Sequence, residues 1–325
     1  MRPAWFWAGP PEQTGPEMAI QGSESGARAG QSTRLAALIT LMRPWQWVKN
    51  GFVVAPVFFA GLALDAEKVA TALVATIAFT LISAAVYVFN DLRDAAADRG
   101  HPAKCRRPIA AGIVTVAEAR LFFALLVLTT VAVAALGGLG VGFLVIAAIY
   151  LAANIGYSLG LKHVAIVELF IVAAGYVLRL LAGSAAIGVI PSPWILCVSG
   201  LLALFLVVGK RRADLNRANS SAAAEIRPVL AAYNQRYLDL LLGITAAATL
   251  LSYVLFCVSE YAIARIGTPY LIGTAIFVAF GLFRYLQLVV VDETPDAPAE
   301  LVLRDPMIRG AAVCWVAAYG ALFYW

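Results

Sequence analysis

Four oxygen-bearing side chains, Asn90, Asp91, Asp94 and Asp98, lie in the stretch N-D-L-R-D-A-A-A-D-R-G-H-P-A-K-C-R-R-P, which ends at Pro108. On a helix of about 100° per residue they fall within an arc of roughly 100°, while Arg93 and Arg99 point elsewhere. Three facing carboxylates repel one another unless a cation sits among them. Oxygen donors on one face, followed by the cations Arg99, Lys104, Arg106 and Arg107, suit a Mg²⁺–diphosphate pair. The alternative is a charged loop whose aspartates merely pair with its own arginines.

This stretch emerges directly from the apolar run Phe79–Phe89, and apolar sequence resumes after it. Of the 325 residues, 62% are hydrophobic and 13% charged, with a mean hydropathy of +0.84. That composition predicts an all-α polytopic membrane protein. Most apolar runs are about 18–22 residues, long enough to cross a bilayer as helix, and the two-residue alternation of a β-barrel is missing. The net charge of +5 comes from loop cations and gives little reason to expect nucleic-acid binding. Cys105, Cys197, Cys257 and Cys314 show neither disulfide nor zinc spacing.

Nine crossings are expected: Leu35–Leu64, then about 69–89, 119–135, 141–157, 165–187, 194–209, 238–258, 269–291 and 307–325. Residues 35–325 would form one transmembrane catalytic domain. Residues 1–34, rich in Gly, Pro, Ser, Glu and Gln and lacking a signal-peptide core, are expected to be a disordered cytoplasmic tail, with Met18 an equally good start. Most loop Lys and Arg follow the second, fourth, sixth and eighth crossings. The positive-inside rule therefore places the N-terminus and both polar loops in the cytoplasm.

The two long polar loops lie four crossings apart, as in a duplicated helical unit whose copies share one site. The second begins G-K-R-R-A-D-L-N-R, with Lys210, Asp214 and Arg217 on one helical face. These residues make either an ordinary Lys–Asp pair or a half-site gripping phosphates with Lys210 and Arg211 or Arg217. In M-R-P-W-Q-W-V-K-N, Arg43, Lys49 and Asn50 serve as an interface anchor or face an anionic ligand. Arg179, near mid-membrane, needs a protein partner or a polar cavity, because an unpaired cation there costs several kcal/mol. Glu168 lies about 16 Å from it along the helix and suits a local pair with Lys162. His101, beyond the helix end, is a surface or site-lining residue, His163 an interface residue, and Cys105 an incidental thiol of the basic loop. No P-loop, H-E-x-x-H or G-x-S-x-G signature is present.

N-D-x-x-D-x-x-x-D after the second of nine crossings resembles the UbiA superfamily of intramembrane prenyltransferases, from about Leu35 to the C-terminus. R-P-W-Q-W-V-K-N, D-R-G-H-P-A-K-C-R-R-P-I-A-A-G, Y-S-L-G-L-K (Tyr157–Lys162) and V-E-L-F-I-V-A-A-G-Y-V-L-R (Val167–Arg179) are similar to its decaprenyl-phosphate phosphoribosyltransferase branch. The second loop departs from the quinone-type members: K-R-R-A-D stands where they carry a second Asp-rich motif.

The resemblance implies a UbiA-like bundle of nine helices in the plasma (inner) membrane with a cytoplasmic-facing active site. It implies transfer of 5-phosphoribosyl from phosphoribosyl diphosphate to a polyprenyl phosphate, by analogy decaprenyl phosphate, for arabinan-type cell-wall precursors. Asp91, Asp94 and Asp98 would hold Mg²⁺ and act as the catalytic carboxylates. Asn90, Lys49, Lys104, Arg107, Tyr157, Lys162, Glu168, Arg179, Lys210 and Arg211 would contact substrate. A homo-oligomer is compatible with the sequence. The rivals are prenyl transfer from a prenyl diphosphate to an aromatic acceptor, and lipid transport without chemistry.

Overall fold

The computed structural model of the chain describes residues 34–324 apart from 103, 221–227, 294–300 and 302–303. The tail expected over 1–34, Arg34 excepted, and the alternative start at Met18 lie outside the described residues. Among the described residues every regular element is helical. Eight helices are long and apolar enough to cross a membrane. They are α1 (Ala66–Arg99), α2 (Val116–Leu136), α3 (Gly140–Leu159), α4 (Val167–Ile187), α5 (Pro193–Ser220), α6 (Gln235–Cys257), α7 (Pro269–Val291) and α8 (Pro306–Tyr324).

The first expected crossing, Leu35–Leu64, is not one continuous helix, so eight long helices stand where nine were expected. A helix over residues 34–41 ends at Arg43, whose φ of 52° is left-handed; a 3-10 segment Pro44–Val53 and a short helix Ala55–Phe59 follow. Pro44 causes the break: it has no N–H to donate, and its ring drives the preceding residue out of the right-handed helical region. The broken segment still runs antiparallel to α1. Arg43 meets Asp91, Asn50 meets Thr80, and Val57 packs with Ala72. From Ala72 to Asp91, α1 rises about 28 Å. About 14 residues of the segment span nearly the same length, because a 3-10 helix rises about 2.0 Å per residue.

One close approach fixes this segment on α4. A Cβ added at Gly183 would lie 1.9 Å from the carbonyl oxygen of Val53 and 2.8 Å from its carbonyl carbon. Backbone, not a flexible side-chain tip, would have to give way. Gly183→Ala is therefore expected to destabilise the fold by about 3 kcal/mol, the upper end for overpacking. Gly209→Ala should cost less, since its new Cβ would meet the side chain of Tyr285. Thermal unfolding in detergent separates the two.

α4 joins two apolar cores. On one side Val53, Phe79, Phe143, Tyr150 and Ala182 pack the broken segment with α1, α3 and α4. On the other, Leu169, Phe205, Leu238, Leu282 and Tyr285 pack α4 with α5, α6 and α7. Two helices outrun their apolar stretches on the same side of the bundle. α1 continues through the acidic motif to Arg99, and α5 through Lys210 to Ser220. The start of the second polar stretch is thus helix rather than loop. Arg211 and Arg212 stay packed there because carboxylates of α4 and α6 neutralise them.

Candidate active site

The acidic face of α1 is turned inward. Asp91 and Asp98 are buried and Asp94 half-buried, while Arg93 and Arg99 are exposed, as the helical spacing predicts. The carboxylates are met by cations from three other segments. Arg43 donates to Asp91 Oδ1 at 2.6 Å from the broken segment. Arg107 Nη1 donates both to Asp91 Oδ1 at 3.0 Å and to Asp98 Oδ2 at 2.7 Å. Lys162, in the turn after α3, donates to Asp94 Oδ1 at 2.5 Å. The Ser158 hydroxyl donates to Asn90 Oδ1 at 3.1 Å, orienting the amide at the head of the motif. His101 Nδ1 accepts the backbone N–H of Lys104 at 3.2 Å, so it shapes the basic loop. The Cys105 thiol donates to the carbonyl of Pro102 in the same loop.

Beneath this rim lies a second set of cations. Lys49 is within electrostatic range of Lys210, Arg179 and Arg43. Arg179 is buried, and its described partners include no carboxylate. It donates Nε to Asn50 Oδ1 at 2.8 Å, Nη1 to the Gly175 carbonyl at 2.8 Å and Nη2 to the Tyr150 hydroxyl at 3.0 Å. Its guanidinium also sits over the rings of Tyr150, Phe79 and Tyr176, with centroids 5.0, 5.3 and 5.8 Å away. Neutral acceptors and aromatic faces thus disperse its charge, rather than an acid on another helix.

Two expected pairings are replaced. Glu168 does not bind Lys162. It forms a buried fork with Arg211, Nε to Oε1 at 2.6 Å and Nη2 to Oε2 at 2.6 Å, which leaves Lys162 to Asp94. Arg211 Nη1 also donates to Asp214 Oδ2 at 2.8 Å, and Arg217 Nη2 to Asp214 Oδ1 at 2.6 Å. Asp214 therefore serves arginines rather than Lys210, and Arg211 joins two carboxylates instead of presenting a phosphate grip. Tyr157 is within electrostatic range of Arg211. Arg212 donates to Asp239 at 2.8 Å. The sequence did not single out Arg212 or Tyr150, and offered Ser158 only as part of Y-S-L-G-L-K. The K-R-R triplet was the only signal for Arg212, and Tyr150 carried none.

An apolar cavity of about 570 Å³ has Lys49 in its lining. It extends between the broken segment, α4, α5, α6, α7 and α8 to Ile190, Pro191 and Arg265 at the opposite end of the bundle. Among the described residues its lining includes Lys49 and Arg265 and no carboxylate. Such a cavity admits an extended hydrocarbon with an anionic head at the Lys49 end.

The acidic face fits a hard divalent ion by donor chemistry, since every side chain on it offers oxygen. Asp91 and Asp98 already converge on one cationic point, Nη1 of Arg107. Asp94 is turned aside to Lys162, and among the described residues no three carboxylates form a ready-made metal cluster. A metal held here would thus take the place of Arg107 between two aspartates.

Comparisons with known proteins agree with this architecture. The model of the UbiA prenyltransferase family matches residues 53–303. A protein named decaprenyl-phosphate phosphoribosyltransferase from Mycobacterium tuberculosis is 34% identical, covering 88% of this chain and 94% of its own. Its namesake from Corynebacterium glutamicum is 33% identical, covering 86% and 84%. Among solved structures, a UbiA homolog from Archaeoglobus fulgidus bound to GPP and Mg²⁺ shares the fold with a TM-score of 0.64. That match has 18% identity and covers 89% of this chain and 100% of the homolog. The acidic helix face, the bundle around it and the span of the family match together make this chain a member of the UbiA prenyltransferase family.

Proposed function

We propose that the protein transfers the 5-phosphoribosyl group of phosphoribosyl diphosphate to a polyprenyl phosphate and releases diphosphate. The observation that carries this reading is the asymmetry of the two polar helix ends. α1 presents an acidic face, whereas the carboxylate at the end of α5, Asp214, is already bound by arginines, and Lys210 there lies within electrostatic range of Lys49. One acidic face suits one metal-held diphosphate, and a cationic surround suits a second, lipid-borne phosphate. The near full-length similarity to proteins named for this activity supports the same choice.

Asp91 and Asp98 would hold Mg²⁺ with Asp94 beside them; when bound, the ion offsets charge on the departing diphosphate. Arg43, Arg107 and Lys162 stand at that mouth, placed to neutralise donor phosphates. Lys49, in the cavity lining, and Lys210 within its electrostatic range would receive the acceptor phosphate, with the isoprenoid tail in the apolar channel. An acceptor oxygen bonds to ribose C1 as the C1–oxygen bond to diphosphate breaks, and the electron pair leaves with diphosphate. A phosphate monoester has a second pKa near about 6, so the nucleophile is already ionised at neutral pH and needs no general base. The polar ends would face the cytoplasm, where the soluble donor is found, and the bundle would lie in the plasma membrane.

The purified protein in detergent, given labelled phosphoribosyl diphosphate and polyprenyl phosphate, should move label into the lipid phase. Chelation by EDTA should stop the transfer and added Mg²⁺ restore it. Turnover only of prenyl diphosphate with an aromatic acid would refute the reading in favour of prenyl transfer. Unchanged transfer in EDTA would refute the metal assignment.

A further inference from the structure

The turn that carries Lys162 to Asp94 is held in an unfavourable conformation by residues far away in sequence. Ile166 has φ 69° and ψ −51°, and the N–H of Val167 donates to the carbonyl of Ala165 at 2.8 Å. That is a γ-turn of positive φ, the rare and strained form, with a β-branched residue at its centre. Such a conformation persists only where its surroundings over-determine it. Two restraints do so here. The backbone N–H of Ile166 donates to the Tyr233 hydroxyl at 2.7 Å. Two residues on, Glu168 is gripped by Arg211 through both carboxylate oxygens. Tyr233 is itself fixed, being 6% exposed and stacked on Tyr237 with an interplanar angle of 9°. Both restraints come from the second half of the bundle, while Lys162 and Asp94 belong to the first.

We infer that Tyr233 is a positioning residue for the transfer site: it fixes the strained turn at Ile166 and so holds Lys162 on the acidic helix face. Arg211 acts in the same way through Glu168, which gives the basic end of α5 a task besides substrate contact. The inference rests on the proposed function only in the choice of donor, because the contacts from Tyr233 to Asp94 are in place whichever donor is used.

The test is a double-mutant cycle on the full-length protein in detergent, reading donor KM and kcat with the donor that the wild type turns over. Tyr233→Phe keeps the stacked ring and removes the acceptor of the Ile166 N–H. It should raise the donor KM on the order of tenfold, as a misplaced binding group does, with acceptor KM and melting temperature close to wild type. In a Lys162→Ala background the same change should have little further effect, because both act through one group. Ile166→Gly, which adopts positive φ without strain, should recover most of the lost donor affinity in the Tyr233→Phe background. Additive effects of Tyr233→Phe and Lys162→Ala, or an unchanged donor KM in Tyr233→Phe, would overturn the inference. Wild-type turnover with prenyl diphosphate alone would instead refute the phosphoribosyl assignment, and the cycle would then be read with that donor.

Discussion

Asp91→Asn is expected to lower turnover by on the order of 100-fold or more, the loss typical when one preorganised charge-stabilising group is removed from a reaction centre. Asp91 is 3% exposed and takes Arg43 from the broken segment and Arg107 from the basic loop. It is therefore the point where three segments meet at the proposed metal position. Asparagine keeps the shape and removes the charge that both arginines and a divalent ion require. The fold should survive, because both guanidinium groups keep some access to water, with side-chain exposures of 17% and 28%. Initial rates measured beside a melting curve separate the two effects. A mere few-fold loss of rate would mean that Asp91 only pairs arginines. Asp94→Asn tests the same face at a group neutralised by Lys162 instead.

Breaking the buried fork should have the largest effect on stability. Glu168→Gln is expected to destabilise the protein by about 3–5 kcal/mol, the cost of leaving one member of a buried ion pair uncompensated. The side chains of Arg211 and Glu168 are 2% and 0% exposed. The remaining carboxylate partner, Asp214, is shared with Arg217. Adding Arg211→Met to Glu168→Gln should recover much of the loss, since an apolar pair of similar volume avoids the desolvation of both charges. Thermal or denaturant unfolding in detergent reads both variants. A double variant no better than Glu168→Gln would show that Arg211 is held mainly by Asp214.

The acidic face was legible in the sequence because a helix repeats about every 3.6 residues, and burial of Asp91 and Asp98 beside exposed Arg93 and Arg99 follows that repeat. The apolar runs likewise located all eight long helices. Partner choice was much less legible. Lys162 is the cation nearest Glu168 in the turn, yet Asp94 takes it, and Arg211 reaches Glu168 from another helix. Tertiary packing decides such matches, and local spacing does not contain it. Arg179 has the protein partners that its depth demands, but the sequence did not say which: an amide, a hydroxyl and three rings serve here. The interruption of the first crossing was written at Pro44, whose effect on Arg43 is local steric exclusion. Its hydrophobic pattern alone reads as continuous helix. The strained turn at Ile166 had no sequence signal, because a β-branched residue argues against positive φ.

This acidic helix face, with its cationic surround, is proposed to move a phosphorylated sugar onto a lipid phosphate. The most direct test supplies the purified protein with Mg²⁺, polyprenyl phosphate, phosphoribosyl diphosphate, a prenyl diphosphate and an aromatic acid in one vessel, and determines the lipid product by mass. The expected product is a polyprenyl phosphate enlarged by one phosphoribosyl group that retains the 5-phosphate of the donor. A prenylated aromatic acid with the polyprenyl phosphate unchanged would contradict it.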